Sequence, residues 1–257
     1  MCIRDSENAV SAALKLGYRF FDTAQIYGNA SAIGRGVLLS DLPRAEIFIS
    51  SKIWTSHRSY DGVMRAFTDI IEQLKTTYLD QLLIHWPATQ GEPMIWQSQN
   101  AGTWRALEDL YEQGAVKVIG VSNFLPHHLV PLLARARIRP MVNQLEIHPG
   151  YPQFAAVNFC FKQNIAVQAW SPLGRGGLTH HPLLIELGEK YGVSPALIAL
   201  RWSLQHGFIP VVKALDAEHM KSNLEAFGLT LEDEDMTRLD TMQQVAFSGL
   251  HPDTVTF

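Results

Sequence analysis

Asp22, Tyr27, Lys52 and His85 are the residues of this chain that could do chemistry together. They supply a carboxylate, a phenol, an ammonium and an imidazole. Three of them end short apolar runs: Asp22 follows Phe20–Phe21, Lys52 follows Phe48–Ser51 and His85 follows Leu82–Ile84. Tyr27 lies five residues beyond Asp22, just ahead of Gly28 and Asn29. A free phenol has a pKa of about 10 and donates a proton poorly at neutral pH. A neighbouring ammonium, itself held by a carboxylate, favours phenolate, so Lys52 is expected to lower the Tyr27 pKa. A tyrosine tuned in this way is a general acid for a carbonyl oxygen, and a neutral imidazole orients that carbonyl. Each residue alone has a plainer role. Asp22 would form the turn before Thr23-Ala24, Lys52 would be a solvated strand end, His85 a rim histidine, and Tyr27 packing on a turn. Their conjunction at three consecutive run ends favours the chemical role.

For these groups to meet, their runs must be neighbouring parallel strands, about 4.8 Å apart. In parallel barrels the chemistry gathers at the C-terminal strand ends. The chain supplies suitable elements. Short, mostly apolar runs predict strands at Arg19–Phe21, Ile47–Ser51, Gln81–His85, Val118–Val121, Met141–Gln144, Ala166–Gln168 and Pro210–Val212. Helical patterns lie between them at Val63–Tyr78, Gly102–Gln113, Pro126–Ala136, Pro152–Gln163, Pro195–Gln205 and Ala217–Phe227. Gly114 and Gly228 stand where C-caps belong, and Ser194–Pro195 reads as an N-cap with proline at the first helical position. This alternation predicts parallel α/β architecture. The strand candidates number seven, and the chain opens on a helical pattern, Glu7 to Leu16. The sheet is therefore either open or a barrel without its first strand.

Composition fits one globular domain over 1–257. Of the 257 residues 47% are hydrophobic and 18% charged, and no linker-like or low-complexity stretch divides them. A net charge of −4 gives no electrostatic case for nucleic acid or an anionic membrane. No apolar run approaches the roughly 18 residues of a membrane span, and no secretory h-region is visible. Cys2 and Cys160 make no disulfide framework, which points to reduced thiols and a cytoplasmic setting. The pairs His127-His128 and His180-His181 carry no metal spacing, because adjacent helical residues point to different sides; no metal is expected.

The segments around these residues resemble the aldo-keto reductase family, in the family's order and over nearly the whole chain. LGYRFFDTAQIYGN (16 to 29) resembles the motif with the catalytic aspartate and tyrosine, FISSKIW (48 to 54) the lysine motif and LLIHWP (82 to 87) the histidine motif. GVSNF (120 to 124) and NQLEIHP (143 to 149) resemble the segments that hold the nicotinamide carboxamide, through Ser122, Asn123 and Gln144. AWSPLGRG (169 to 176) resembles the loop whose aromatic residue stacks on nicotinamide, here Trp170, with Ser171 and Leu173 meeting the pyrophosphate. The resemblance implies an α/β TIM barrel of eight strands and hydride transfer from NADPH to a small aldehyde, keto sugar or keto ester. In it Tyr27 is the acid, Asp22 and Lys52 tune it, His85 positions the carbonyl, and Trp54 and Trp86 wall the pocket. No GxGxxG follows a strand, so no Rossmann site is expected.

Two departures stand out. VVKALDAEHMKSN (211 to 223) resembles the segment gripping the adenosine 2′-phosphate, and Lys213 and Asn223 match, but Ala214 replaces a hydroxyl and His219 an arginine. A bidentate phosphate partner is lost, so NADPH is the first expectation and NADH the alternative. The family's N-terminal hairpin and first strand are also not matched, which suggests a truncated or misassembled start with two exposed strand edges. The expected protein is a monomer able to associate through those edges. Rival readings are a nucleotide-binding or redox-sensing barrel without turnover, and an unrelated barrel enzyme acting on phosphorylated substrates.

Overall fold

A computed structural model describes residues 3–87 and 96–255. The chain divides into two compact units, Met1–Asn143 with His251–Phe257, and Gln144–Leu250. The strands follow one another in the order β1 to β7, alternating with helices, which is the α/β barrel class. Seven strands are present among the described residues, and a helix precedes the first, in the order the sequence predicts.

The first unit opens with α1 (Ile3–Lys15), whose buried Ala9, Val10, Ala13 and Leu14 form one stripe. Then come β1 (Phe20–Asp22), a 3₁₀ turn (Gln25–Tyr27), α2 (Ala30–Leu38), β2 (Phe48–Ile53) and α3 (Tyr60–Leu74). After these follow β3 (Leu79–Ile84), α4 (Trp96–Glu112), β4 (Val116–Ser122) and α5 (Pro126–Leu133). β1, β2, β3 and β4 pair in parallel, with Asp22 opposite Ser50 and Ser50 opposite Gln81. Every residue of β3 is buried, as a parallel strand covered on both faces requires. Gly120 in β4 has no alternative, since a Cβ there would meet the Val142 carbonyl oxygen at 2.4 Å.

At the N-terminal end of β3 the buried Asp80 accepts from the Ile49 N–H at 3.0 Å. It also pairs with Arg44 at 2.8 Å and Lys117 at 3.0 Å. Charge at that end locks strands together, while charge at the other end builds the site. Strand β5 (Val142–Glu146) begins as the first unit ends.

The second unit holds α6 (Phe154–Lys162), β6 (Ala166–Trp170), α7 (Pro182–Tyr191), α8 (Pro195–Gln205), β7 (Ile209–Val211), α9 (Ala217–Leu224) and α10 (Asp233–Asp240). β6 and β7 pair in parallel, with Trp170 opposite Val211. Leu197, Leu200 and Ala226 form a core against which Leu173 and Val212 pack. Ser194 caps α8 by accepting from the Leu197 N–H, as predicted. Gly228 differs from expectation: its φ is −86°, so it is no left-handed cap.

The sequence patterns missed α2, α7 and α10. In α2, Gly34 and Gly36 admit close neighbours. A Cβ at Gly34 would meet the Leu74 carbonyl oxygen at 2.5 Å, and one at Gly36 would meet Val10 at 2.7 Å. In α10 only Asp235 and Leu239 are buried, too few to show a period. The sequence reads 88–101 as a loop that shapes the substrate pocket; residues 96–101 instead open α4, and 88–95 lie outside the described ones.

Candidate active site

The 3₁₀ turn after β1 explains why a tyrosine closely follows Asp22. Pairing of β1 with β2 continues one step, as the Thr23 N–H donates to Ser50 O at 2.9 Å. The chain then turns through Gln25–Tyr27 and closes on Gly28, whose φ of +63° is in the left-handed region that suits glycine. The Thr23 hydroxyl donates to Asn29 Oδ1 at 2.5 Å, and Gln25 Oε1 accepts from the Trp54 N–H at 3.1 Å. These bonds hold the turn over the end of β2.

Lys52 lies inside β2 and is fully buried. Its Nζ forms an ion pair with Asp22 Oδ2 and donates to Thr23 O at 3.1 Å. A buried ammonium is tolerated only with such partners. Asp22 Oδ1 accepts from the Ser50 hydroxyl at 2.8 Å, and Ser50 Oγ accepts from Gln81 Nε2 at 2.9 Å. The Lys52 Nζ lies 5.4 Å from the Tyr27 ring centre. His85 is the first residue past β3, with its N–H donating to Ile53 O at 3.2 Å. Its ring stands edge-to-face with Tyr27 at 5.9 Å and with Trp54 at 5.0 Å, and stacks loosely on Trp86 at 6.4 Å. The four predicted residues therefore meet in one place.

The electrostatics correct one expectation. The Tyr27 pKa is raised, not lowered: desolvation of the phenol is the largest influence, and the Asp22 charge adds to it against Lys52. As a residue Tyr27 is 49% exposed, but its proton sits on the phenol, where desolvation acts. Tyr27 thus stays protonated at neutral pH, as a proton donor must. Burial, and then the Lys52 charge, push the His85 pKa well below 6.5, which keeps its imidazole neutral. Its Nδ1 is buried without a hydrogen-bond partner.

Asn123 sits at the end of β4 in the left-handed region, with φ +64°. Its Nδ2 donates to His85 O at 3.0 Å and to Ser122 Oγ at 3.1 Å, so Ser122 and Asn123 join the His85 backbone. Arg58, which the sequence reading overlooked, is buried and donates from Nη2 to Trp86 O at 2.6 Å. Burial lowers its pKa to about 10. Ser50 was also overlooked, although it stands two residues before Lys52 on the same strand face.

In the second unit, Gln144 Nε2 donates to Gln168 Oε1 at 3.0 Å. Trp170 is half-buried at the end of β6. The chain then bends through left-handed residues Ser171, Gly174, Arg175 and Gly176, with φ between +50° and +90°. The partly buried Leu173 side chain packs against the Leu197, Leu200 and Ala226 core. Lys213 and His219 are exposed and Asn223 is half-buried. Asp216 caps α9, accepting from the Glu218 N–H at 2.7 Å and the His219 N–H at 3.2 Å.

The histidine pair on α5 behaves otherwise than its spacing suggests. The His127 and His128 rings are 3.9 Å apart, and both Nε2 atoms reach Asp253 Oδ1, at 2.9 and 2.8 Å. His128 Nδ1 accepts from the Leu125 N–H at 3.1 Å. Its neutral proton therefore lies on Nε2, and no lone pair remains there for a metal. His181 caps α7, and Glu146 accepts from the Ser248 N–H at 2.9 Å and from its hydroxyl at 2.6 Å.

Comparison with known proteins agrees with this geometry. The profile of the Aldo/keto reductase family matches residues 3–244. A glyoxal reductase of Bacillus subtilis is 40% identical over 253 residues, covering 98% of this chain and 89% of its own length. A 9,11-endoperoxide prostaglandin H2 reductase of Trypanosoma cruzi is 39% identical, with 97% and 86% covered. Among solved structures, an aspartate-to-alanine variant of Gox0644 in complex with NADPH superposes with a TM-score of 0.92. It has 35% identity and covers 100% of this chain and 92% of that one. The truncated or misassembled start expected from the sequence finds no support in the family match, which covers residues 3–244. No described helix is long and apolar enough to cross a membrane.

Proposed function

This chain belongs to the aldo/keto reductase family, and from that premise we propose that it reduces an aldehyde or ketone to the alcohol with Tyr27 as the proton donor. The observation that carries the reading is the buried Asp22–Lys52 pair beside a protonated Tyr27, with a neutral His85 edge-on to the phenol. The nicotinamide nucleotide, NADPH first and NADH second, supplies the hydride when bound. Residues of this chain fit such a ligand. Trp170 offers a half-buried indole, the chain from Ser171 to Gly176 bends through left-handed residues, and Lys213 offers an exposed ammonium. Gln144, Ser122 and Asn123 would hold the carboxamide, Ser171 and the Leu173 backbone the pyrophosphate, and Lys213, His219 and Asn223 the ribose phosphate.

The rest of the chemistry is the chain's own. As negative charge grows on the carbonyl oxygen, the Tyr27 phenol gives up its proton, and Lys52 steadies the phenolate that remains. Asp22 keeps the Lys52 ammonium in place. His85, uncharged, orients the carbonyl without competing as an acid. Trp54 and Trp86 flank the imidazole and would wall the substrate pocket. The relatives' names make glyoxal and other small aldehydes the first substrates to try, with keto sugars and keto esters next.

The test is consumption of NADPH and of NADH by purified protein with glyoxal or an aromatic aldehyde. Tyr27→Phe is expected to lose turnover by about 100-fold or more while still quenching nucleotide fluorescence. Unchanged turnover would remove Tyr27 from its role.

A further inference from the structure

Asp22, Ser50 and Gln81 are successive register partners across β1, β2 and β3, so they form one row of the sheet. Their side chains join along that row. Gln81 Nε2 donates to Ser50 Oγ at 2.9 Å, and the Ser50 hydroxyl donates to Asp22 Oδ1 at 2.8 Å. Ser50 and Gln81 are both at or below 1% exposure. Lys52 takes the other oxygen, Asp22 Oδ2. A buried polar row of this kind costs desolvation at every member, where an apolar residue could fill the core without that cost. From this placement we propose that Ser50 and Gln81 are positioning residues, a relay that fixes the Asp22 carboxylate and through it the Lys52 ammonium beside Tyr27.

A serine hydroxyl has one proton, and here it points at Asp22. Gln81 enforces that direction, because its amide N–H occupies a lone pair of Ser50 and cannot accept the hydroxyl proton. Asp22 Oδ1 is thereby engaged from the β2 side, which leaves Oδ2 to fix Lys52. The charged and titratable groups around Tyr27 are Asp22 on β1, Lys52 on β2 and His85 past β3. Without the Ser50 hydroxyl the Asp22 charge is less compensated. A less compensated carboxylate opposes phenolate formation at Tyr27 and holds Lys52 more tightly to itself.

The proposal rests on Tyr27 as the acid, and its test separates the two. Ser50→Ala, Gln81→Leu and Ser50→Thr are compared with wild type and Tyr27→Phe for kcat, KM and the pH profile of aldehyde reduction. Ser50→Ala should lower kcat about 10-fold, the worth of one hydrogen bond to a charged group, with KM little changed. Its alkaline limb should move to higher pH. Gln81→Leu should do the same more weakly, and Ser50→Thr, which keeps the hydroxyl, should restore both. If Ser50→Ala does not fold, Gln81→Leu decides alone. An unmoved alkaline limb, or Ser50→Thr failing like Ser50→Ala, overturns the relay while loss of turnover in Tyr27→Phe leaves the acid in place. Turnover retained by Tyr27→Phe overturns both.

Discussion

The tetrad in the first unit and the ligand-type loops in the second are built in opposite ways. Asp22 and Lys52 lie on strands, tied by an ion pair, a carbonyl and a hydroxyl, and Lys52 is completely buried. Lys213 and His219 lie on exposed chain after β7 and in the first turn of α9, where the Glu218 and His219 N–H groups donate to the capping Asp216. In the first region the Asp22 and Lys52 charges are each held by named partners. The second can exchange residues at little cost to folding, because its charges are solvated already. The function proposed above assigns the chemistry that needs fixed distances to the first region and ligand preference to the second.

The strongest way to break this contrast is at Lys52. Lys52→Met removes the cation while preserving volume. It is expected to reduce turnover about 1,000-fold, beyond the loss of a single oxyanion donor, since both Tyr27 and Asp22 lose their partner. It should also destabilise the fold by about 3 kcal/mol, because Asp22 is left as a buried charge without its ion pair. Urea denaturation beside steady-state kinetics reads both quantities. A variant as stable as wild type would mean that Asp22 takes up a proton or finds water instead.

Acid sharpens the contrast next. His85 and His128 are neutral in the folded first unit, His85 with its pKa well below 6.5 and His128 lowered to about 4, in both cases chiefly by burial. The unfolded chain binds these protons first as pH falls, so their contribution to stability is intact above about pH 6.5 and shrinks below it. The slope is about 1.4 kcal/mol per pH unit for each imidazole, and the His128 share ends near pH 4. Unfolding measured at pH 7 and pH 5 should show the loss, and His128→Gln should diminish it. An equal loss in His128→Gln would place the titration elsewhere.

What the sequence revealed divides along the same line. Asp22, Lys52 and His85 were legible because each polar side chain interrupts an apolar run, a break that core burial does not otherwise permit, and Tyr27 because it follows Asp22 within five residues. The direction of the Tyr27 shift was not legible. Lys52 is visible from spacing, but the desolvation that outweighs it depends on what packs around the phenol. Ser50 and Gln81 were equally hidden, since a serine and a glutamine in a strand carry no pattern until register sets them side by side. The histidine pair on α5 went wrong for a related reason. Helical spacing separates adjacent side chains, but at a helix start a carboxylate from distant sequence, Asp253, draws both rings to one oxygen. The helices α2 and α10 were missed where glycine packing and solvent-facing charge erase the period.

The smallest expected effect falls in the exposed region, and it tests whether that region chooses between ligands. His219 occupies the first turn of α9 with its side chain in solvent, so its replacement should leave folding and the tetrad unchanged. His219→Arg adds a permanent cation with a planar fork of donors, suited to a phosphate and to nothing on NADH that NADPH lacks. Solvent screening limits the gain to about 1 kcal/mol, or roughly 5-fold in the NADPH dissociation constant, with NADH unmoved. Fluorescence titration of both nucleotides at two salt concentrations measures it. Selective tightening that weakens in salt would locate nucleotide choice at this exposed turn. Equal tightening of both nucleotides would mean the added charge acts on the shared pyrophosphate, and the loop after β6 would become the place to look for specificity.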